Sequence, residues 1–283
     1  MKNLLDKLPS KIAESVMKTE GYAGKITEIS LRGEKNTVIK ADNRYIRLGC
    51  TTSFAEIALT MQKLCEMSVY AYIDEIRNGF ITVKGGHRVG VCGTAVVKEG
   101  KITNIKNISS LNIRVAHEVK RCSDNIKLDF KSLLIISPPG CGKTTILRDL
   151  CRRIGQTKKV SVIDERGEIA AVFNGQPEFD LGDMTDVMSL CDKAQGIEYM
   201  LRSMSPDLIV TDEIARKDSD AIRKSLSYGV GIAASVHGDD IRGTLRRLGF
   251  ERGNEVFDKI LLLSNKNGIG TIEKMVKGVS LYG

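Results

Sequence analysis

The nine residues SPPGCGKTT, from Ser137 to Thr145, constrain the fold of this chain more than any other part of the sequence. They fit the phosphate-binding pattern G-x-x-x-x-G-K-[ST], with a serine in the first glycine position. The apolar run Leu133–Ile136 precedes them and a helical stretch to about Ile154 follows, which is the strand–loop–helix context that the pattern requires. The paired prolines can stiffen the entry to the loop in place of the missing glycine. The sequence therefore predicts a P-loop.

The residue types in this loop suit a nucleotide triphosphate. Gly140 and Gly142 allow the backbone to approach a phosphate so that successive N–H groups point inward, and the N-terminus of the following helix adds its dipole. We expect Lys143 to reach the β- and γ-phosphates and the Thr144 hydroxyl to coordinate Mg²⁺. The predicted nucleotide-binding residues are Pro138, Pro139, Gly140, Cys141, Gly142, Lys143, Thr144 and Thr145.

Two further apolar runs end in carboxylates. The run at 208–211 leads into Asp212, which suits a role in holding Mg²⁺, and Glu213, which suits polarising the attacking water. The run at 160–163 leads into an acidic segment, 164–168, in which we expect Asp164, Glu165 and Glu168 to face the γ-phosphate, with Glu165 as a second candidate for activating water. An exposed acidic turn paired with Arg166 is the structural alternative for that segment.

A fourth motif is the small apolar run Ile232–His237, which brings Ser235 and His237 to one strand end. Side chains placed there can sense a γ-phosphate and relay its presence to a neighbouring element. His87 and His117 have no comparable context, and we interpret them as structural or surface residues.

The pattern along the chain predicts an α/β protein with a smaller α+β domain in front. After residue 130, apolar runs at 132–136, 160–163, 208–211, 230–236 and 259–263 alternate with helical stretches, as in a parallel sheet covered on both faces. We predict domains at 1–121 and 130–283 with a linker at 122–129. Within the first domain we expect an amphipathic helix over 4–19 and a helix capped by Ser53 with Glu56 as its capping-box partner.

Charge is distributed unevenly between the two halves. Residues 1–128 contain 21 Lys+Arg and 13 Asp+Glu, whereas residues 129–283 contain 22 of each. The basic half indicates an anionic partner such as nucleic acid, a membrane surface or ligand phosphates, or else a surface kept for solubility. Scattered lysines, an aromatic content of 5% and the lack of Trp argue against nucleic acid.

Composition also indicates the compartment. The seven cysteines are an odd number without a C-x-x-C pair, so the sequence predicts neither a disulfide framework nor a zinc site, and reduced thiols fit a cytoplasmic protein. No apolar run approaches the roughly 20 residues of a membrane-spanning helix, and the N-terminus lacks the apolar region of a secretory signal.

The four motifs, in this order, resemble those of the ATPase superfamily of type II and type IV secretion systems and pilus motors. Longer strings resemble the stage III sporulation protein AA family over nearly the whole chain: NGFITVKGGHRVG from Asn78, SSLNIRV from Ser109 and VIDERGEI from Val162. This resemblance implies a RecA-like ATPase that uses ATP and Mg²⁺. It implies that Lys143 and Thr144 form the Walker A motif, that Asp212 and Glu213 form Walker B, and that His237 lies in the histidine box.

The resemblance also implies partners. Secretion motors complete their site with arginines from the N-terminal domain and from neighbouring subunits, for which Arg114 is our first candidate, followed by Arg88 and Arg77. The implied protein is a homo-oligomer in a hexameric ring, cytoplasmic and peripheral at a membrane through a membrane protein of a sporulation channel complex. Many secretion motors have glycine at the place of Asp212, so this chain has a more ordinary Walker B motif than they do. Two carboxylates, Glu213 and Glu165, remain as candidates for activating water, and we favour Glu213.

Other functions fit part of the pattern. A P-loop kinase would need an acceptor pocket, and its P-loop usually lies near the N-terminus, whereas about 130 residues precede it here. A nucleic-acid translocase is compatible with the basic half but not with the low aromatic content. A nucleotide-gated scaffold that hydrolyses ATP very slowly is the non-enzymatic alternative.

Overall fold

Two units make up the computed structural model, which describes residues 2–19, 25–42, 44–77, 79–250 and 256–277. The first unit consists of Met1–His117 and Ala171–Glu178, and the second consists of Glu118–Ala170 and Phe179–Gly283. The chain therefore leaves the second unit once, after the acidic segment, and returns to it.

The first unit contains a six-stranded antiparallel sheet in the order β3-β2-β1-β6-β5-β4. Alternate residues such as Ile29, Leu31 and Ile113 are buried with helical residues, including Ile57 and Met61, in one apolar cluster. Its elements are α1 Lys2–Leu5, α2 Ser10–Lys18, β1 Ile26–Arg32, β2 Lys35–Ala41, β3 Arg44–Thr52, α3 Phe54–Leu64, a 3₁₀ turn Val69–Tyr72, α4 Ile73–Arg77, β4 Phe80–Val83, β5 His87–Lys98 and β6 Lys101–Arg114.

The second unit contains a seven-stranded sheet in the order β13-β12-β7-β11-β10-β8-β9, parallel except for its edge strand β13. Its elements are β7 Ser132–Ser137, α5 Lys143–Ile154, β8 Val160–Asp164, β9 Thr185–Ser189, α6 Lys193–Ser203, β10 Leu208–Thr211, a 3₁₀ turn Arg216–Asp218, α7 Ser219–Ser227, β11 Gly231–His237, α8 Ile241–Leu248, β12 Lys259–Ser264 and β13 Thr271–Lys277. All five predicted core strands are confirmed.

The central strand β7 shows why this sheet is parallel and internal. All six of its residues are buried, as expected for a strand with helices on both faces. Leu134 and Ile136 belong to an apolar cluster that includes residues of α6, α7 and α8. Helix α5 packs on β7 and β11, and its buried residues Leu147 and Leu150 lie outside that cluster. The parallel strands therefore end together at one edge of the sheet, where the P-loop begins.

Some sequence-based predictions differ from the structure. The predicted helix over 4–19 is two helices, α1 and α2. Pro9 has no N–H to donate to the turn before it, so the first helix does not continue through it, and Pro9 is the N-cap of α2. The predicted linker at 122–129 belongs to the second unit, where Ser123 and Ile126 are fully buried. The excursion Ala171–Glu178 belongs to the first unit, with Phe173 in its apolar cluster. The domain limits stay a prediction.

Candidate functional site: a P-loop with a lysine–histidine–glutamate chain

The P-loop connects the end of β7 to the start of α5. Gly140 and Gly142 have φ values of +75° and +84°, which favour glycine, and Gly142 forms the left-handed N-cap of α5. Ser137 stands where the pattern has its first glycine, and its hydroxyl donates to the Pro138 carbonyl at 2.7 Å, which holds the entry to the loop. Cys141 is buried and its thiol donates to the Pro139 carbonyl at 3.8 Å, so its side chain turns inward.

Lys143 starts a hydrogen-bonded chain of three side chains. Its Nζ lies 2.9 Å from His237 Nδ1, and His237 Nε2 lies 2.9 Å from Glu213 Oε1. An ammonium group has no acceptor, so Nδ1 accepts from the lysine and Nε2 carries the proton that is donated to the carboxylate. Burial lowers the pKa of Lys143, and Glu213 is foremost among the groups that oppose this effect. The chain links the P-loop to the ends of two strands.

The position of Glu213 is set by its neighbours on β11. Its φ of +43° is uncommon for a residue with a side chain. The Glu213 N–H donates to Ser235 Oγ at 3.2 Å, and the Ile214 N–H donates to the Ser235 carbonyl at 2.9 Å. Ser235 is fully buried and holds the backbone of Glu213, and its part in sensing a phosphate stays a prediction. Arg166 forms an ion pair with Glu213 Oε2.

Asp212 is a buried carboxylate without a protein partner. Its residue is fully buried, and neither side-chain oxygen has a hydrogen-bond partner among the described residues. Burial, with a smaller contribution from Asp164, raises the pKa of Asp212 to about 7. A carboxylate in this state is stabilised by a bound cation, and oxygen ligands are those that Mg²⁺ prefers. Asp212 therefore fits the predicted metal-holding role.

Protein side chains would supply only part of the ligand set of a metal ion at this site. Within the described ranges, no group of three or more His, Cys, Asp or Glu side chains could hold a metal ion. Mg²⁺ in phosphoryl-transfer sites typically keeps several waters and is held through one or two protein groups plus substrate phosphates. The half-exposed Thr144, in the first turn of α5, and the buried Asp212 match that sparse donor set.

Asp164, the first residue of the acidic segment, has a structural role. Its fully buried carboxylate accepts the backbone N–H groups of Glu168 (2.8 Å), Ile169 (3.1 Å) and Ala170 (2.8 Å). Arg148 of α5 holds the same segment by donating to the carbonyls of Glu168 and Ile169 at 2.7 and 2.8 Å. The expectation that Asp164 faces the γ-phosphate is therefore wrong. Its bonds fix the segment that carries Glu165 and Arg166.

The two candidates for activating water have different partners. Glu165 pairs with Lys193, which is almost completely buried, and lies 3.7 Å from Lys217 Nζ. Glu213 is the carboxylate that the structure connects to the P-loop lysine, through His237. Arg166, for which the sequence predicted only a salt bridge within its own acidic turn, contacts Glu213 through its guanidinium group. The position of Arg166 directly after Glu165, at a strand end beside the predicted site, was the sequence feature from which this contact could have been inferred.

The candidate arginines of the N-terminal half lie in the first unit. Arg114 at the end of β6 is paired in register with Arg88 of β5 and with Glu28 of β1. The Arg88 guanidinium stacks 3.9 Å from the centre of the Phe80 ring, and Arg77 Nε donates to the Thr103 carbonyl at 2.8 Å. A catalytic role for Arg114 stays a prediction.

The two remaining histidines are structural, as interpreted from the sequence. His87 is almost completely buried and its Nδ1 accepts the Ala116 N–H at 3.0 Å. His117 Nε2 lies 2.7 Å from the Ile26 carbonyl.

The fold matches the solved structures of a pilus retraction motor and of another ATPase. The crystal structure of the pilus retraction motor PilT with bound ADP aligns with a TM-score of 0.59 at 14% identity, over 90% of this chain and 77% of that one. The ATPase DotB of Legionella pneumophila aligns with a TM-score of 0.54 at 15% identity, over 90% of this chain and 76% of that one. The protein thus has the fold of these ATPases, with a RecA-like P-loop unit behind an N-terminal sheet domain.

The family follows from the sequence comparison. The family model "Sporulation stage III, protein AA" matches residues 2–279, and this chain belongs to that family. Stage III sporulation protein AA of Bacillus subtilis (strain 168) is 33% identical over 292 residues, which span 97% of this chain and 91% of the relative. The resemblance noted in the sequence is confirmed. None of the helices in the described residues has the length and apolar content needed to cross a membrane.

Proposed function

We propose that this protein hydrolyses ATP in a Mg²⁺-dependent reaction. The observation that carries the proposal is the chain from Lys143 through His237 to Glu213, formed where the P-loop meets the carboxyl ends of β10 and β11. Each member has a role in phosphoryl transfer to water. The loop N–H groups bind the β-phosphate, and Lys143 binds the β- and γ-phosphate oxygens.

Thr144 and Asp212 would hold Mg²⁺. A bound Mg²⁺ would supply charge neutralisation to the triphosphate. Asp212 stays ionised in its buried position when it faces a cation, which removes the cost of a buried carboxylate without a partner.

Glu213 orients the attacking water and accepts its proton. His237 fixes one oxygen of Glu213 and Arg166 pairs with the other. Binding of a triphosphate draws Lys143 to the phosphate oxygens, so its hydrogen bond to His237 Nδ1 is exchanged and the ring becomes free to report that the site is filled. Glu165 is held by two lysines and supports the segment.

The test is Mg-ATP hydrolysis measured beside ATP binding. Lys143→Ala should abolish tight ATP binding, because the loop loses the cation that binds the phosphates. Glu213→Gln should keep ATP binding and lower kcat by about 100-fold or more, and Glu165→Gln by less than about tenfold. Glu198→Gln, a change at a half-exposed position on α6, is the matched control. Full activity of Glu213→Gln would contradict its assignment.

We further propose that the protein is a motor of the secretion type. It would act as a hexameric ring, cytoplasmic and peripheral at the mother cell–forespore membrane, and energise a sporulation channel through a membrane protein. Membership of the family and the shared fold support this proposal. In such a ring Arg114 would contact the γ-phosphate, and nucleic acid would not be a partner.

Specific activity as a function of protein concentration tests the ring. A rise in turnover per subunit with concentration, lost in Arg114→Ala, would support a site completed by more than one subunit. Constant turnover, with a monomer in light scattering at every concentration, would contradict the ring. ATP binding with hydrolysis slower than about one turnover per hour would favour a nucleotide-gated scaffold, since kinases and motors typically turn over far faster.

A further inference from the structure

The turn between β12 and β13 lies against the P-loop. A Cβ atom placed on Gly142 would lie 3.1 Å from Ile269 Cγ2 and 3.7 Å from the Gly270 nitrogen. A Cβ on Gly270 would lie 3.5 Å from Ile146 Cδ1, in the first turn of α5. The turn therefore packs on the loop and on the start of the helix, where phosphates are expected to bind.

The shape of this turn depends on glycine and presents one apolar side chain. Gly268 and Gly270 have φ values of +104° and +86°, a region that side chains disfavour. Between them, Ile269 is 77% exposed. Isolated exposed apolar residues are common on protein surfaces, so the exposure of Ile269 alone does not indicate a binding site. The distinguishing feature of Ile269 is that its side chain is exposed at the edge of a P-loop.

The sheet order shows which part of a nucleotide would reach this turn. In the sheet, β11 and then β10 lie on one side of β7, and β12 lies on the other side. Strand β11 ends at His237, and β10 ends shortly before Glu213. If the γ-phosphate lies at Lys143 beside His237 and Glu213, the α-phosphate and nucleoside leave the loop on the opposite side. That side is the β12–β13 turn. This step rests on the proposed function.

We propose that the β12–β13 turn is the nucleoside subsite and that Ile269 packs against the face of the nucleobase. An apolar side chain on a base plane gives affinity without directional hydrogen bonds. The subsite therefore takes a purine nucleotide for its large flat surface and discriminates weakly between adenine and guanine. Gly142 must lack a side chain both for its conformation and because Ile269 occupies that space.

The test compares a nucleotide with its phosphate chain alone. Titration calorimetry of the full chain with Mg²⁺ would use a non-hydrolysable ATP analogue and inorganic tripolyphosphate. Ile269→Ala should weaken binding of the analogue about tenfold, as expected when one face of an isoleucine no longer becomes buried. It should leave the affinity for tripolyphosphate within about twofold of the original, because an aliphatic side chain offers a phosphate neither a hydrogen bond nor a charge.

Matched variants separate the possible outcomes. Ile269→Leu should keep the affinity for the analogue, and Met275→Ala, which removes another exposed apolar side chain from β13, should change neither ligand. Loss of both affinities to the same extent in Ile269→Ala, or no loss for the analogue, would overturn the subsite. If the unaltered protein binds neither ligand, the proposed ATPase site fails as well, whereas Lys143→Ala should lose both ligands when that site is real.

Discussion

Asp164→Ala is the sharpest test of how the acidic segment is built. The carboxylate of Asp164 is fully buried and accepts three backbone N–H groups, of Glu168, Ile169 and Ala170. Leaving one buried donor without an acceptor costs about 1–3 kcal/mol. Because water can reach some of these donors once the side chain is removed, we expect the free energy of unfolding of the second unit to fall by about 3–6 kcal/mol.

Urea denaturation followed by circular dichroism measures this loss. Amide hydrogen exchange adds a local readout, since the N–H groups of Glu168, Ile169 and Ala170 should lose protection first. Asp164→Asn keeps one acceptor oxygen and should recover part of the stability. The segment also carries Arg166 to Glu213, so ATP hydrolysis by folded Asp164→Asn should fall more than ATP binding does.

The control is Asp186→Ala, which changes an exposed aspartate on the edge strand β9 and should alter stability by less than about 0.5 kcal/mol. A loss below about 1 kcal/mol in Asp164→Ala, with unchanged exchange at the three amides, would refute the role of this carboxylate as the anchor of the segment.

Two further predictions concern the first unit. Burial lowers the pKa of His87 to about 4, whereas a histidine in the unfolded chain has a pKa of about 6.5. The neutral ring therefore contributes about 3 kcal/mol to the free energy of unfolding above about pH 6.5, and this contribution is lost as the pH falls to about 4. His87→Asn, which keeps an acceptor for the Ala116 N–H, should remove this part of the pH slope, and an NMR titration that gives His87 a pKa near 6.5 would contradict it. Ser53→Ala breaks the capping box of α3 and should cost about 1 kcal/mol in thermal unfolding. Ser68→Ala, at a position without a side-chain cap bond, should cost much less, and equal losses would refute the capping role.

Local features of the fold could be predicted from residues close together in the chain. The capping box of Ser53 and Glu56 is confirmed atom by atom, because an N-cap depends on side chains three residues apart. The same local reasoning failed where two nearby signals competed. The amphipathic pattern over 4–19 continues across Pro9, but proline cannot donate to the preceding turn, and the helix is divided there.

Edge strands were harder to predict. Strand β9, Thr185–Ser189, and strand β13, Thr271–Lys277, did not appear among the predicted core strands. Both lie at the ends of the seven-stranded sheet, where the described residues provide a neighbouring strand on one side only. Their residues are mostly half-buried or exposed, so they lack the continuous apolar run by which internal parallel strands are recognised.

The sequence by itself determined the P-loop, its strand and helix, and the residue types at the strand ends, since these depend on short-range pattern and on chemistry that few residue types provide. Only the tertiary structure decided how those side chains pair. His237 joins Lys143 to Glu213, Ser235 supports the backbone of Glu213, and Asp164 turns inward to bind its own segment. These contacts connect residues up to 94 positions apart, and the order of strands in the sheet, which no local pattern records, brings them within hydrogen-bonding distance.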